Sequence, residues 1–140
     1  MKNIYLNIYR PNSFNLKKAK KNVESNNVIG LPTETVYGLA ANAYSDKSVK
    51  KIFKLKKRPS FNPLIIHFKN LKELKKNAVC NDYFIKLYKA FCPGPITFIL
   101  NKNPKSKISK IATAGKETIV VRIPKHKVAR NLLKMIDVPL

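Results

Sequence analysis

The chain has 140 residues, with 29 lysine and arginine residues against seven acidic ones, and a formal net charge of +22. This length predicts one domain that can bury most of its apolar surface. The two cysteines, Cys80 and Cys92, form neither a Cys-x-x-Cys pair nor a zinc-ligand spacing, which argues against a structural zinc site and a redox motif. Residues 1–7 lack the apolar core of a signal peptide, and no apolar run is long enough to cross a bilayer, so the expected location is the cytoplasm.

The strong positive charge has two interpretations. Lysine and arginine gain affinity for polyanions by displacing counterions from phosphates, which favours ATP or RNA as a partner. However, only four of the 29 basic residues are arginine, and asparagine and isoleucine are also abundant. This skew is typical of an AT-rich genome, and solvated lysine is well tolerated on a protein surface. Compositional drift and selection for binding therefore explain most of the excess charge equally well.

The first predicted strand covers residues 27–32 and ends at Pro32. It leads into a bend rich in hydroxyl groups, since residues 30–39 read Gly-Leu-Pro-Thr-Glu-Thr-Val-Tyr-Gly-Leu. A helix capped by Ser45 or Asp46 follows, with apolar residues at three- and four-residue spacing. Pro59 ends this helix and leaves Lys56 and Arg58 at its last turn.

Further strands and helices alternate along the rest of the chain. Strands are predicted over residues 63–68, 96–100 and 118–123, and helices over residues 71–78, 83–91 and 128–136. The helix over 83–91 is expected to carry Phe84, Leu87, Tyr88 and Phe91 on one face, and residues 101–110 are expected to form a surface loop. The alternation indicates an α/β fold in which helices cover a sheet, within a single domain over residues 1–140.

Several nucleotide-binding and hydrolytic motifs are absent from the sequence. It has no P-loop, no Gly-x-Gly-x-x-Gly, no His-Glu-x-x-His and no Gly-x-Ser-x-Gly. Three acidic residues lie near the hydroxyl-rich bend and the basic residues, namely Glu34, Asp46 and Glu117. They do not pair at a spacing that indicates general acid and base catalysis. Cations and hydroxyl groups dominate instead, which suits the binding and polarisation of phosphate.

Lys56 and Arg58 lie two positions apart just before Pro59. If the chain leaves the helix extended, both side chains can point to one side, neutralise a triphosphate and stabilise charge on a departing pyrophosphate. The alternative is a solvated basic helix end that the helix dipole favours. Composition alone favours the second interpretation, because lysines crowd the whole helix.

Four further residues are candidates for a polar ligand site. Thr33 offers a donor and an acceptor at the end of a strand, and Arg122 offers a planar fork for a carboxylate, which together suit recognition of an amino acid. His67 ends a buried strand, where a structural histidine is the ordinary expectation. Thr118 is either a residue of the ligand site or an ordinary β-branched residue of a strand.

Several motifs in order resemble the threonylcarbamoyl-AMP synthase family, also called the YrdC/Sua5 family. They are the bend at 30–39, Lys-Lys-Arg-Pro at 56–59, Asn-Pro-Leu-Ile-Ile-His at 62–67, Cys-Pro-Gly-Pro-Ile-Thr-Phe at 92–98, Thr-Ala-Gly at 113–115 and Val-Arg-Ile-Pro at 121–124. The resemblance is strongest over residues 28–140. It implies a YrdC-like α/β fold, with a twisted mixed sheet flanked by helices, that is C-terminally incomplete.

The resemblance also implies a reaction and a set of roles. The family joins L-threonine, bicarbonate or CO2, and ATP to give threonylcarbamoyl-AMP and pyrophosphate, for the modification of tRNA to t6A at position 37. It implies that Lys56 and Arg58 are catalytic and bind ATP together with Thr118, and that Thr33, His67 and Arg122 bind threonine. Mg2+ is expected to arrive with ATP, and no protein-built metal site is expected.

The chain departs from the family pattern in three places. Cys92 stands where tryptophan is usual and Lys57 where glycine or another small residue is common. Relatives also continue into a strand and a Ser-x-Asn segment that complete the ATP site, and the sequence has no counterpart of this segment.

Because of that missing segment, a non-catalytic module that binds double-stranded RNA or tRNA, or an inactive fragment, is the alternative to the enzyme. The use of this fold for carbamoyl transfer in hydrogenase maturation fits less well, since those proteins are longer and rich in zinc-finger-like cysteines.

Overall fold

The computed structural model describes residues 7–140. Within that range the helices are α1 (Ser13–Glu24), α2 (Asp46–Lys56), α3 (Leu71–Lys75), α4 (Asp82–Phe91) and α5 (Lys127–Met135). The strands are β1 (Ile29–Pro32), β2 (Tyr37–Ala40), β3 (Ile65–His67), β4 (Phe98–Asn101) and β5 (Thr118–Arg122). The first two strands form an antiparallel hairpin, and the other three form a second sheet in the order β3-β5-β4.

The three-stranded sheet is mixed and has one buried face. β5 runs parallel to β3 and antiparallel to β4. Side chains alternate between the faces of a strand, and Ile66, Val121 and Phe98 point into the core, where their exposure is at most 9 %. Helix α4 covers this face, with the Phe84 ring edge-on to the Phe98 ring at a centroid distance of 5.0 Å. The prediction of a mixed sheet flanked by helices is confirmed.

The opposite face of the same sheet is open. Ile65, Val120 and Ile99 lie side by side on it through the strand register, and Ile99 is 70 % exposed. The next row along the sheet places His67 beside Arg122. The register and the pleat of the strands therefore bring an imidazole and a guanidinium together on the same face of the sheet.

A second core joins the hairpin to the first and last helices. Leu31 of β1 is buried with Val23 of α1 and with Leu132 and Leu133 of α5. Helix α1 and strand β2 were not predicted from the sequence. In α1 only Leu16 and Val23 are buried among its lysines, so its apolar face is too narrow to give a clear helical pattern.

The apolar face of α4 is only partly buried, and one prediction about packing is wrong. On α4 Phe84 is buried, whereas Leu87 and Phe91 are 44 % and 54 % exposed. The predicted surface loop over 101–110 folds back into the core, with Ile108 only 4 % exposed. The Asn77 side-chain oxygen accepts hydrogen bonds from Ser106 Oγ and Lys107 N, which holds this loop inward.

Helix α2 begins and ends with identifiable caps. Of the two predicted caps, Ser45 is the N-cap and accepts a hydrogen bond from Ser48 N. At the other end Lys57 adopts a left-handed conformation, with φ 48° and ψ 37°, and the next amide, Arg58 N, donates to Phe53 O at 3.0 Å. This conformation favours glycine, which gives a physical reason for the small residue common at this position in the resembling family.

Replacing Lys57 by Gly is expected to raise the free energy of unfolding by about 0.5–1 kcal/mol. A left-handed conformation costs a residue with a Cβ roughly 1–2 kcal/mol, and glycine avoids this cost. Glycine is also more flexible in the unfolded chain, which offsets part of the gain in stability. Chemical denaturation at fixed pH measures the change.

Lys50→Gly, at an exposed position within the same helix, is the matched control and should lower the free energy of unfolding by about 0.5–1 kcal/mol. Similar losses of stability in both variants would contradict the assignment of Lys57 as a strained helix end.

Candidate functional site

A cavity of about 250 Å³ lies between the hairpin bend, the end of α2 and the carboxyl ends of β3 and β5. Five of the predicted site residues line it: Thr33, Lys56, Arg58, His67 and Arg122. Apolar side chains such as Val49 and Leu64 form its inner part. The structure therefore brings together hydroxyl, imidazole and cationic groups that are far apart in the sequence.

Arg122 joins the sheet to the hairpin bend through hydroxyl groups. Its Nε and Nη2 donate to Thr97 Oγ1 at 3.0 and 2.8 Å, and its Nη1 donates to Thr35 Oγ1 at 3.0 Å. Among the ion pairs of residues 7–140, none involves Arg122. A guanidinium held only by neutral acceptors keeps its full charge available for an incoming carboxylate.

The bend itself is fixed by Thr33. Thr33 Oγ1 lies 3.1 Å from Thr35 Oγ1, donates to Val36 O at 2.8 Å and accepts from the amides of Thr35 and Val36. A short polar side chain that bonds its own turn is the usual way in which threonine stabilises such a bend. Thr33, Thr35 and Arg122 thus form one connected row of polar groups.

Glu34 fastens the bend to the start of α5. Its Oε2 accepts hydrogen bonds from Lys125 N at 2.9 Å and from His126 N at 3.2 Å, and His126 is the N-cap of α5. Burial alone would raise the pKa of Glu34. The backbone amides and the nearby charge of Arg122 outweigh burial, so the pKa lies below its ordinary value and the carboxylate stays ionised at neutral pH.

His67 lines the cavity and is neutral. Burial and then the charge of Arg122 lower its pKa to about 4, while Glu34 opposes this shift. Its backbone N and O bond to Leu140 O and N at 2.6 and 3.0 Å, which pairs Leu140 with the edge of β3 beside the site. At neutral pH the imidazole therefore adds no charge and can act as a hydrogen-bond donor and acceptor.

The two cations of the α2 end differ in their freedom. Arg58 is anchored, since its Nε donates to Asn62 O at 3.0 Å and its Nη2 donates to Asn62 Oδ1 and Pro63 O at 2.7 and 2.8 Å. Lys56 is exposed and its ammonium makes no hydrogen bond or ion pair with residues 7–140. Arg58 is thus held in one geometry at the cavity, whereas Lys56 is a free charge at its rim.

Thr118 is the predicted site residue that does not line the cavity. It begins β5 and pairs with Asn101, four residues before Arg122 and therefore about 13 Å along the strand. The pleat nevertheless puts it on the same open face as Arg122, beyond Val120. Only a ligand that extends along this face could contact both ends of β5.

The roles of three polar residues in the site were not predicted from the sequence. Thr35 and Thr97 accept hydrogen bonds from Arg122, and Glu34 anchors the bend to the start of α5. Thr35 and Glu34 lie within the hydroxyl-rich bend, and Thr97 lies within a motif that the sequence shares with the resembling family, so a signal was present. Their contacts with the rest of the chain could not be predicted because they depend on the packing of the hairpin over the sheet.

The arrangement suits the binding of a small zwitterion next to a polyanion. The fork of Arg122 can take a carboxylate, the neighbouring hydroxyls and imidazole can bond polar groups, and the cations at the end of α2 can take phosphate. Residues 7–140 contain no group of three or more His, Cys, Asp or Glu side chains placed to hold a metal ion. They also contain no helix with the length and apolar character needed to span a membrane.

A family model for Sua5/YciO/YrdC proteins, whose description reads "Telomere recombination", matches residues 21–140. Threonylcarbamoyl-AMP synthase of Pyrococcus abyssi is 39 % identical over 120 residues, which cover 84 % of this chain and 34 % of that protein. A putative threonylcarbamoyl-AMP synthase of Methanocaldococcus jannaschii is 35 % identical over 136 residues, which cover 94 % of this chain and 64 % of that protein.

The fold matches as well. The crystal structure of P. abyssi Sua5 complexed with L-threonine superposes with a TM-score of 0.87 at 36 % identity, over 94 % of this chain and 38 % of that one. The chain spans about a third of the length of the Pyrococcus protein and under two thirds of the Methanocaldococcus one. The match of the family model over most of the sequence and the agreement of the folds lead to one conclusion: the chain belongs to the Sua5/YciO/YrdC family.

Proposed function

We propose that this chain carries the site of an L-threonylcarbamoyladenylate synthase, a nucleotidyltransferase that makes threonylcarbamoyl-AMP and pyrophosphate from L-threonine, bicarbonate or CO2, and ATP. The product would serve the t6A37 modification of tRNA in the cytoplasm, directly or through a separate threonylcarbamoyl-transfer complex. Relatives that are named threonylcarbamoyl-AMP synthase, and a relative crystallised with L-threonine, support the proposal.

One observation carries the proposal. A carboxylate-binding fork, hydroxyl groups and a neutral imidazole share a single cavity with two cations, Lys56 and Arg58. Threonine presents a carboxylate, an amine and a hydroxyl, and ATP presents a chain of phosphates. Both substrates of the proposed reaction therefore find complementary groups within one site.

In the proposed reaction the threonine amine first attacks CO2, and loss of a proton gives the carbamate. A carbamate oxygen then attacks the α-phosphorus of ATP, a new P–O bond forms, and the bond to pyrophosphate breaks. Arg122 and Thr33 hold the threonine end, so that its amine is directed along the cavity. Because no side-chain nucleophile is required, rate enhancement would come from positioning and from charge stabilisation.

Lys56 and Arg58 have distinct parts in this scheme. The anchored fork of Arg58 fixes the position of the phosphates, and the free ammonium of Lys56 follows the negative charge as it shifts to the leaving pyrophosphate. Thr118 is proposed as an ATP contact further along the open face. Mg2+ enters with ATP as part of the substrate, since Glu34, the carboxylate of the bend, is already bonded to backbone amides.

A non-catalytic RNA-binding role is the competing proposal. Ion pairs within residues 7–140 involve only Lys20, Lys69 and Lys76, so most of the basic side chains are uncompensated. Such a surface attracts structured RNA without reading its sequence, and its affinity should fall steeply with salt.

The deciding experiment is pyrophosphate release by the purified chain with MgATP, bicarbonate and L-threonine, compared with the same mixture without threonine. Threonine-dependent release supports the synthase. No release from a chain that circular dichroism shows to be folded, together with salt-sensitive binding of tRNA, would favour the RNA-binding module.

Lys56→Ala and Arg58→Ala are each expected to weaken ATP binding by about 10- to 100-fold, since a hydrogen bond to a charged group contributes about 1.5–3 kcal/mol. Isothermal titration with MgATP measures the effect. Arg58→Ala should also lower the melting temperature, because it frees the 58–63 loop, whereas Lys56→Ala should not.

Lys50→Ala is the matched control, because Lys50 is exposed on the same helix and has no partner among the described residues. Lys51 is unsuitable, since its Nζ bonds Asn26 O and Asn27 Oδ1. Equal losses of ATP affinity in Lys50→Ala and Lys56→Ala would show that Lys56 acts only through the general surface charge and does not contact ATP.

Arg122→Lys is expected to raise the KM for threonine by about tenfold or more and to change the KM for ATP much less, because lysine keeps the charge but loses the planar fork. Steady-state pyrophosphate release at varied threonine and at varied ATP separates the two values. Arg130→Lys, on α5 and outside the cavity, is the control. A threonine KM that stays at the wild-type value in Arg122→Lys would remove Arg122 from the threonine site.

A further inference from the structure

The Arg122 guanidinium has five N–H groups, and three of them are bonded within residues 7–140. Nε and Nη2 both donate to one atom, Thr97 Oγ1, at 3.0 and 2.8 Å. An oxygen bonded to both of these nitrogens lies on the side edge of the planar group, between Nε and Nη2. Nη1 donates one hydrogen to Thr35 Oγ1. One N–H on Nη1 and one on Nη2 therefore remain for a ligand.

The strand register explains why Thr97 stands at that edge. Phe98 pairs with Val121, so the antiparallel pattern continued by one residue places Thr97 opposite Arg122. Phe98 and Val121 are both buried, and side chains alternate between the faces of a strand. Thr97 and Arg122 therefore point to the open face as a cross-strand pair.

The backbone on both sides of Thr97 is held in place. Strand β4 follows it, and three residues before it Gly94 N donates to Ile123 O at 2.9 Å, which ties residues 94–97 to the end of β5. A Cβ at Gly94 would clash with Phe91 O, so this turn requires glycine. The χ1 angle of threonine is restricted because the residue is β-branched. The Thr97 hydroxyl thus has a defined position before any ligand binds.

We propose that Thr97 is a positioning residue, which occupies the side edge of Arg122 and leaves the terminal edge, formed by Nη1 and Nη2, to a ligand. Thr97 does not line the cavity, whereas Arg122 and Thr35 do. Thr97 therefore acts through the guanidinium and touches no ligand itself. A carboxylate that enters the cavity is directed to the terminal edge, beside the hydroxyl groups of the bend.

The hydroxyl of Thr97 is the group that makes this orientation unique. Its two lone pairs are both used by Arg122. Without it, Thr35 is the one side-chain acceptor left to the guanidinium among the described residues. The planar group could then rotate and offer either edge, so that a carboxylate would bind in two orientations.

The consequence for catalysis rests on the proposed function. The carboxylate and the amine of threonine are joined through one carbon atom, so the orientation of the carboxylate decides where the amine lies. A displacement of about 1 Å at a reacting group can cost about 100-fold in rate. One fixed edge on Arg122 therefore gives the amine one direction along the cavity.

Arginine side-chain NMR tests the positioning role without any substrate. The chain has four arginines, and in a chain labelled with 15N-arginine the Nε–H signal of Arg122 is assigned by its loss in Arg122→Lys. Because this hydrogen is bonded to Thr97, its exchange with water is expected to be about tenfold or more slower than that of the exposed Arg10. Equal exchange at Arg122 and Arg10 in the unmodified chain would overturn the proposal.

Thr97→Val keeps the shape of the side chain and removes the hydroxyl. It should speed the exchange of Arg122 Nε–H by about tenfold, while Arg58 Nε–H, which is bonded to Asn62 O, stays unchanged. Thr97→Ser should restore slow exchange at Arg122. Ser106→Ala is the control for a lost hydroxyl elsewhere, since Ser106 Oγ bonds Asn77 outside the cavity.

Two results from these variants would contradict the proposal. One is a folded Thr97→Val chain in which Arg122 Nε–H exchanges as slowly as in the unmodified chain. The other is a Ser106→Ala chain in which Arg122 changes as much as in Thr97→Val, because a general loss of stability would then explain both. If Thr97→Val does not fold, the comparison of Arg122 with Arg10 in the unmodified chain decides.

The same spectra report the edge that a ligand uses. On titration with L-threonine, the Nη signals of Arg122 should shift while its Nε–H stays protected by Thr97. A large shift at Nε–H would mean that the carboxylate has displaced Thr97 from the side edge, which would overturn the proposal. In pyrophosphate release, Thr97→Val should raise the KM for threonine by about tenfold and change the KM for ATP much less, and Thr97→Ser should restore it.

The positioning role and the proposed function can fail separately. A chain that binds no threonine and releases no pyrophosphate, but protects Arg122 Nε–H through Thr97, keeps the positioning role and loses the proposed function. A chain that turns over while Arg122 Nε–H is unprotected keeps the function and loses the positioning role.

Discussion

The hydrogen bonds of Arg122 are the interaction on which the site depends. The sheet and the hairpin belong to different hydrophobic cores, one around Phe84 and Phe98 and the other around Leu31 and Leu132. Arg122 spans them, with two nitrogens on Thr97 and one on Thr35. The distance between the hydroxyl-rich bend and the open face of the sheet is therefore set by a cation. Replacement of Thr97 or Thr35 by an anion would neutralise that cation, and the use of hydroxyls preserves its charge for a ligand.

The electrostatic design around this cation separates fixed from free charges. Glu34 is the one carboxylate among the site residues, and two backbone amides hold it away from the ligand space. His67 is uncharged at neutral pH. The remaining charges at the cavity are those of Arg122, Arg58 and Lys56, all positive. An anionic ligand with several charges meets no acidic side chain among the residues that line the cavity, which is what the proposed function requires.

Much of this could be predicted from the sequence because the strong signals are local. The cap at Ser45, the apolar run before His67 and the β-branched run before Arg122 each depend on neighbouring residues only, and the structure agrees with them. The parallel register that places His67 against Arg122 is not local, and no pattern in either strand determines it. Helix α1 could not be predicted for a related reason, since its few buried residues are buried only by packing against α5 and β1.

The prediction that Lys56 and Arg58 share one side assumed an extended exit from α2. The structure has a left-handed turn at Lys57 instead, and both side chains still line the cavity.

That turn explains why the two cations are not equivalent. The left-handed Lys57 ends the helix abruptly, so Lys56 remains on the last helical turn while Arg58 leaves it and bonds the 58–63 loop. A pair on one helix face would be two solvated charges with similar roles. A pair divided by a turn gives one charge with a fixed position, that of Arg58, and one on an unanchored side chain, that of Lys56. In the proposed reaction a rigid fork would specify where a phosphate sits, and a flexible ammonium would follow the charge that moves from the α-phosphate to the leaving group. The left-handed turn at position 57 is thus the structural requirement of the site, and glycine there would keep the geometry while removing the strain.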